Sequence, residues 1–231
     1  MKYENYLPYN NFKKIYERKI HLSTQIYEAV LKGKVKEIKE LVESALTEGI
    51  APATILNEGM LAAMDVIGEK FASGDVFVPE VLFSARTMNS GMEVLKPHLA
   101  EAGIGTIGKA AIGTVKGDQH DIGKNLVRIM FEGKGIDVID LGANVPAEKF
   151  VETVENQGVT LVACSALLTT TMGEMKKVVD LLVEKGLRDK TTVMIGGAPI
   201  TEVFCKEIGA DFYTPDATTA AEVAKKALLG A

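Results

Sequence analysis

The feature that most constrains the fold of this chain is a change of hydrophobic period about a hundred residues in. Before it, apolar residues recur every three or four positions: Ile26, Val30 and Leu31, then Val35, Ile38, Leu41, Val42, Ala45 and Leu46. That spacing lines one face of a helix. Gly33 and Gly49 punctuate the runs. A third helix is predicted from Pro52, a residue suited to a first turn, through Ile55, Met60, Met64 and Ile67 to Phe71. Ser73-Gly74-Asp75 breaks it. A fourth is predicted from Pro79 through Val81, Leu82, Ala85, Met88, Met92 and Leu95, ending before Pro97. Four helices joined by short turns imply an antiparallel four-helix bundle over residues 23–102. Residues 1–22 form an N-terminal extension in which Phe12, Ile15 and Tyr16 supply apolar positions for a helical turn or two.

Residues 103–109, with Gly103, Gly105 and Gly108, read as a linker. From residue 110 to 231 the period changes. Short apolar runs at 110–115, 137–141, 160–164, 192–195 and 210–213 alternate with helical stretches at 121–131, 147–156, 172–185 and 201–208, and a last helix covers 218–229. Five strand–helix units make an α/β domain of the flavodoxin-like (Rossmann-type) class, a five-stranded parallel sheet with helices on both faces. The expected strand order is 2-1-3-4-5. A crevice then opens at the C-terminal ends of strands one and three, where the chain turns in opposite directions.

Those strand ends carry the residues of chemical interest. Asp118-Gln119-His120-Asp121-Ile122-Gly123 follows the first strand, Ser165-Ala166-Leu167 the third and Gly196-Gly197 the fourth. Taken singly, each has a structural explanation. Asp118 and Asp121 are good helix N-cap types, Ser165 is a common turn residue, and a Gly-Gly pair suits a tight turn. Their value lies in the combination, since the topology brings all three to one crevice. Asp118 stands two residues from His120 in an extended loop, so both side chains can point the same way and the carboxylate can fix the ring of a metal-binding histidine.

The bulk properties exclude several classes. A net charge of −5 favours neither nucleic acid nor an anionic membrane. No apolar run approaches the roughly 20 residues of a membrane span, and residues 1–14 lack a signal-peptide core, so a cytoplasmic location is expected. Cys164 and Cys205 read as free thiols. Three histidines and two cysteines, widely scattered, offer no zinc spacing. A receiver domain needs an aspartate after the third strand, which here ends in Cys164-Ser165. A bound flavin mononucleotide would leave Asp118 and His120 without a task.

The run Thr114-Val115-Lys116-Gly117-Asp118-Gln119-His120-Asp121-Ile122-Gly123-Lys124-Asn125 resembles the cobalamin-binding module of methionine synthase and the small corrinoid proteins of methyltransferase systems, including those for methylamines, methanol and glycine betaine. Asp140-Leu141-Gly142-Ala143-Asn144-Val145-Pro146-Ala147, Ser165-Ala166-Leu167 and Gly196-Gly197 are similar to the same family. The resemblance runs from about Val30 to the C-terminus. It implies a corrinoid methyl carrier binding cobalamin or a related corrinoid base-off/His-on, as methylcobalamin when loaded. His120 becomes the cobalt ligand, Asp118 the acceptor for its far ring nitrogen, and Ser165 an extension of that relay to solvent or to the cofactor's nucleotide tail. Gly117, Gln119, Asp121, Ile122, Gly123, Leu167, Thr169, Gly196 and Gly197 complete the implied cofactor contacts, with Gly113 as a further small residue of the tail slot. On cobalt(I), His120 is expected to release the metal and the pair with Asp118 to take up a proton.

By the same resemblance the helical half is a cap, and Phe77 covers the methyl-bearing face. Phe71, Met60, Met64, Met88 and Met92 read as bundle core. The implied partners are a substrate-specific methyltransferase, a second methyltransferase acting toward coenzyme M or tetrahydrofolate, and a reductive activase. The rival reading is a cobalamin-dependent sensor or regulatory binding module; no basic helix-turn-helix accompanies it here.

Overall fold

A computed structural model describes residues 7–230, with side chains from Glu17 onward. The chain divides into two compact units, residues 1–105 and 106–231.

The first unit is helical. Its elements are α1 (Leu7–Leu31), α2 (Ile38–Thr47), a composite third helix and α5 (Val78–Glu101). The composite helix opens with Pro52 in a first turn, α3 (Pro52–Thr54), continues as a π-helical segment (Ile55–Leu61) and ends as α4 (Ala62–Ser73). Gly74, left-handed at φ 81°, stops it. Residues 7–22, expected as part of an extension, belong to α1 as one helix. The predicted stop before Pro97 does not occur, because α5 carries Pro97 inside its last two turns and ends at Glu101. Proline there removes one backbone bond near a helix end, where frayed bonds contribute little. Ile26, Val30, Ile38, Val42, Ile55, Met60, Met64, Ile67, Val81, Met88 and Leu95 fill the core, each contributing about 1.5–3 kcal/mol when buried.

The second unit alternates strand and helix: β1 (Lys109–Val115), α6 (Ile122–Gly133), β2 (Asp137–Val145), α7 (Ala147–Gln157), β3 (Leu161–Ser165), α8 (Gly173–Glu184), β4 (Thr192–Gly196), α9 (Glu202–Ile208), β5 (Phe212–Tyr213) and α10 (Ala217–Leu229). All strands are parallel, in the order β2-β1-β3-β4-β5. The chain leaves β1 toward β2 and returns across it to β3. Right-handed crossovers therefore put α6 and α7 on opposite faces. Ala111, Val162, Cys164, Val193 and Ile195 pack under α7 and α8 with Phe150, Val178 and Leu182. The alternate positions, among them Ile112, Ala163 and Met194, face α6 and α10. Both cysteines are free and buried. No helix among the described residues is long and apolar enough to cross a membrane.

β2 is the irregular strand. Its pairing with β1 slips twice, between Ile112 and Gly113 and between Gly113 and Val115, so that Gly113 faces Gly142 and Val115 faces Val145. Two extra residues are thus accommodated on β2, as two bulges at its C-terminal end. Gly142 (φ 84°) and Asn144 (φ 56°) take left-handed conformations there.

Candidate functional site

The switch point between β1 and β3 presents the loop from Lys116 to Asp121. Asp118 sits at its base, fully buried. One carboxylate oxygen, Oδ1, accepts from the backbone N–H of His120 (3.1 Å) and lies 2.9 Å from His120 Nδ1. The other, Oδ2, accepts from the backbone N–H groups of Leu167 (2.8 Å) and Leu168 (3.2 Å) and from Thr171 Oγ1 (3.0 Å). Burial alone pushes this carboxyl's pKa up. The hydrogen bonds from Leu167, from the backbone and ring of His120 and from Leu168 outweigh it and hold the group well below the usual carboxylate range. A carboxylate at Nδ1 selects the tautomer with the ring proton there, so that in a neutral ring the lone pair is on Nε2. The His120 side chain is 54% exposed, and Nε2 has no protein hydrogen-bond partner among the described residues. The arrangement is an imidazole oriented from behind, offering one ring nitrogen outward.

The rest of the loop is equally fixed. Thr114 Oγ1, fully buried, donates to His120 O (2.8 Å). Asn144 on β2 accepts at Oδ1 from Gly117 N (2.8 Å) and donates its own N–H to Asp118 O (2.9 Å). The helix-cap explanation of the aspartates does not describe this geometry. Asp121 occupies the N-cap of α6 without a side-chain cap bond, and Asp118 directs both oxygens elsewhere.

Ser165 ends β3, in register with Thr114 on β1 and Gly196 on β4. In-register residues of parallel strands share a face, so Thr114, Ser165 and Gly196 form a row of small side chains on the α6 and α10 face. The hydroxyl bonded to Asp118 belongs to Thr171, and no bond joins Ser165 to Asp118 or His120 among the described residues. Gly123, in the first turn of α6, borders open space: a Cβ added there would meet nothing within 4 Å. Gln119, Asp121, Ile122, Leu167 and Thr169 are exposed around the histidine, with Ile122 78% exposed.

Two glycines are required by the packing around them. Gly113, expected in the slot, faces α7 instead; a Cβ there would lie 2.7 Å from Phe150 Cζ, so its space is taken by that ring. Gly197, at φ 130°, lets the β4 turn close on the β3 turn, and a Cβ would fall 1.8 Å from the Ala166 carbonyl oxygen. In the first unit, Phe77 precedes α5, is 66% exposed, and its N–H donates to Glu80 (3.2 Å). Met60, Met64 and Met88 are buried.

Sequence reasoning missed Thr171, Asn144 and the pair Lys124–Asp140. Thr171 closes a run of three threonines, and with Glu174 three residues on it reads as a helix start. Gly142-x-Asn144 inside a strand run is a turn-type composition that marks a bulge. Lys124 is 2% exposed and donates to Asp140 Oδ1 (2.6 Å) and Asn125 Oδ1 (2.7 Å). Burial raises the Asp140 carboxyl; the Lys124 ammonium, the Gly142 N–H and Arg128 bring it below its ordinary value. A separate cleft of about 1020 Å³ lies at the N-terminal ends of β3 and β4, near Thr160, Arg188 and Thr192. It touches none of these groups.

Among the described residues, no cluster of three or more His, Cys, Asp or Glu side chains could hold a metal. One histidine suits a metal that brings its other ligands with it.

Comparison with known proteins bears on the same residues. Models of a B12 binding domain match residues 108–224 and 22–96. The trimethylamine corrinoid protein of Methanosarcina barkeri is 42% identical over 192 residues, 82% of this chain and 88% of the relative. The dimethylamine corrinoid protein of the same organism is 38% identical over 211 residues, 91% of this chain and 99% of the relative. The crystal structure of the methanol:cobalamin methyltransferase complex from M. barkeri contains a chain that superposes with a TM-score of 0.83 at 30% identity, covering 91% of this chain and 81% of that one.

Proposed function

The chain belongs to the B12-binding protein family, and from that premise we propose that it is the corrinoid-carrying methyl shuttle of a methyltransferase system. The observation that carries the reading is the His120–Asp118 pair, whose outward nitrogen stands at the switch point while a buried, fully hydrogen-bonded carboxylate holds the other. In the base-off form with His120 as the cobalt ligand, a corrinoid held there would supply a cobalt centre able to accept and release a methyl group.

The donor set and the space beside it fit such a group. The single outward imidazole nitrogen of His120 would hold a metal that brings its other ligands with it. The small residues Thr114, Ser165 and Gly196 lie in register on the α6 face, and the open side of Gly123 is the space from which a nucleotide tail would approach them. Asp118 fixes the tautomer and ring direction of His120, and Thr171 with the Leu167 and Leu168 amides keeps Asp118 ionised and in place. Ile122 and Leu167 present apolar surface beside the imidazole. Gly117, Gln119, Asp121, Thr169 and Gly197 complete the cofactor surround, with Ser165 in the tail slot. Phe77 serves the methyl-bearing face and excludes water from it.

The relatives named for trimethylamine and dimethylamine, and the methanol complex, support a partner methyltransferase specific for a methylated one-carbon compound. A second methyltransferase, acting toward coenzyme M or tetrahydrofolate, and a reductive activase complete the system, in the cytoplasm.

The test is spectroscopic and then functional. Reconstitute with hydroxocobalamin, reduce to cobalt(II), and record electron paramagnetic resonance on protein labelled with ¹⁵N-histidine. Protein nitrogen splitting that disappears in His120→Ala is the expected result, followed by methyl uptake when substrate and its methyltransferase are added. A cobalt(II) spectrum without protein nitrogen, or one that His120→Ala leaves unchanged, would refute the ligand assignment.

A further inference from the structure

We propose that Asn144 is a positioning residue for the cobalt ligand, a latch that sets where the His120 loop stands; this rests on the assignment of His120 above. Asn144 is the one non-glycine residue with positive φ among the described residues. It stands on the second bulge of β2 and grips two consecutive residues of the ligand loop. Its Oδ1 takes the Gly117 N–H at 2.8 Å, and its own N–H goes to Asp118 O at 2.9 Å. The bulge is itself anchored, since Asp140 Oδ1 accepts from Gly142 N (2.9 Å) and from buried Lys124 Nζ (2.6 Å). Lys124 lies in the first turn of α6, the helix that the ligand loop enters.

Both ends of the loop are therefore tied to one five-residue stretch, Asp140 to Asn144. The entry is held by Asn144 and the exit by Asp140 through Lys124. Between these ties His120 is offered to the metal, and its ring direction depends on Asp118 keeping its place over the Leu167 and Leu168 amides. Asparagine meets both demands at position 144: its side chain carries an acceptor, and it tolerates the left-handed region better than other residues with a Cβ. The residue is exposed and contributes little to the core, so its geometry answers to the loop it holds.

The experiment compares Asn144→Gly with Asn144→Asp. Glycine takes the left-handed backbone freely and removes only the acceptor; aspartate keeps an oxygen in place. On holoprotein in the cobalt(II) state, the readouts are the fraction of signal with ¹⁵N-histidine splitting and the hydroxocobalamin Kd. On apoprotein, they are the His120 Nδ1 chemical shift and hydrogen exchange at the Gly117 amide. For Asn144→Gly we expect a reduced histidine-ligated fraction, a Kd raised roughly fivefold, as one lost hydrogen bond implies, and faster Gly117 exchange. Asn144→Asp should restore all of these to within about twofold of the parent, the margin separating a kept from a lost hydrogen bond. If the parent protein shows no histidine coupling, the ligand assignment fails and the latch fails with it. If the parent is coupled and Asn144→Gly retains its coupling, Kd and exchange, the latch alone is refuted. An aspartate variant as impaired as glycine, or a glycine variant that no longer folds, also refutes it, by making residue 144 a matter of general stability.

Discussion

Replacing Asp118 with asparagine probes the arrangement most sharply, because the two side chains have the same shape and differ in what they can accept. The carboxylate takes five donors: His120 N–H and Nδ1 on one oxygen, and Leu167 N–H, Leu168 N–H and Thr171 Oγ1 on the other. An amide keeps one oxygen. If that oxygen stays with Leu167, Leu168 and Thr171, the NH₂ faces His120, whose backbone N–H loses its acceptor. Nδ1 must then accept rather than donate, and the ring proton moves to Nε2, the atom proposed to bind cobalt through its lone pair. The flipped amide would leave the Leu167 and Leu168 N–H groups without their acceptor, two bonds lost instead of one, since the Thr171 hydroxyl can accept from the amide while donating to Leu168 O, so the first orientation prevails. Hydrogen bonds to a charged group are worth about 1.5–3 kcal/mol, so the folded apoprotein should lose about 2–3 kcal/mol, and its melting temperature should fall by roughly 10 °C. Corrinoid affinity should fall by about 10- to 100-fold, the usual cost of removing the group that orients a ligating histidine. Urea melts of the apoprotein, hydroxocobalamin titration and the ¹⁵N shifts of the His120 ring measure these separately. The sign with pH is set by the same carboxylate. Its folded pKa is depressed, so its stabilisation is complete above the unfolded value of about 4 and is lost as pH falls through the folded value. The parent should therefore lose more stability than Asp118→Asn between about pH 5 and pH 2. An asparagine variant with parental stability, full histidine ligation and the Nδ1–H tautomer would refute the reasoning.

Three further outcomes follow from the geometry. Gly197→Ala puts a Cβ 1.8 Å from the Ala166 carbonyl oxygen at a φ of 130°; neither backbone can yield cheaply, and a loss of about 3 kcal/mol or more is expected in urea unfolding. Thr171→Val keeps the shape but leaves Asp118 Oδ2 with two donors; a loss of about 1–2 kcal/mol with weaker corrinoid binding is expected, and Thr171→Ser should recover most of both. Burial pushes the Cys164 thiol up to about 12 and, with Glu202 and Asp211, raises that of Cys205; Ellman's reagent at pH 8 should leave both unmodified in the native protein and modify both in denaturant.

The parts of the fold legible in the sequence were those carried by periodicity. The helical spacing in the first hundred residues and the five apolar runs after them place every strand, and the short runs with helices between them imply the observed order. Boundaries were less legible where backbone geometry departs from the regular. β2 extends to Val145 because two bulges let a Gly-x-Asn stretch remain paired, and α5 runs through Pro97 because a single missing bond near a helix end costs little. His120 and Asp118 were legible because their spacing in one loop fixes their proximity. Thr171 and Asn144 were not, since each meets the loop across 53 or 27 residues of sequence, and contacts that distant leave no local pattern. Gly113 was assigned to the cofactor slot by being small. Its real neighbour, Phe150, follows from the face on which it sits.

The paired slips in β2 also bear on how this region can vary. Each slip reverses which way the following side chains point, and the second undoes the first, so that Ile139, Leu141 and Val145 all reach the α7 and α8 side. Removing a single residue from 142 to 144 would turn Val145 out of that core and expose Ala143 or Asn144 to it. Length changes in this stretch are therefore expected in even numbers when family members are aligned, and the members that lose both extra residues must secure the His120 loop by some other means.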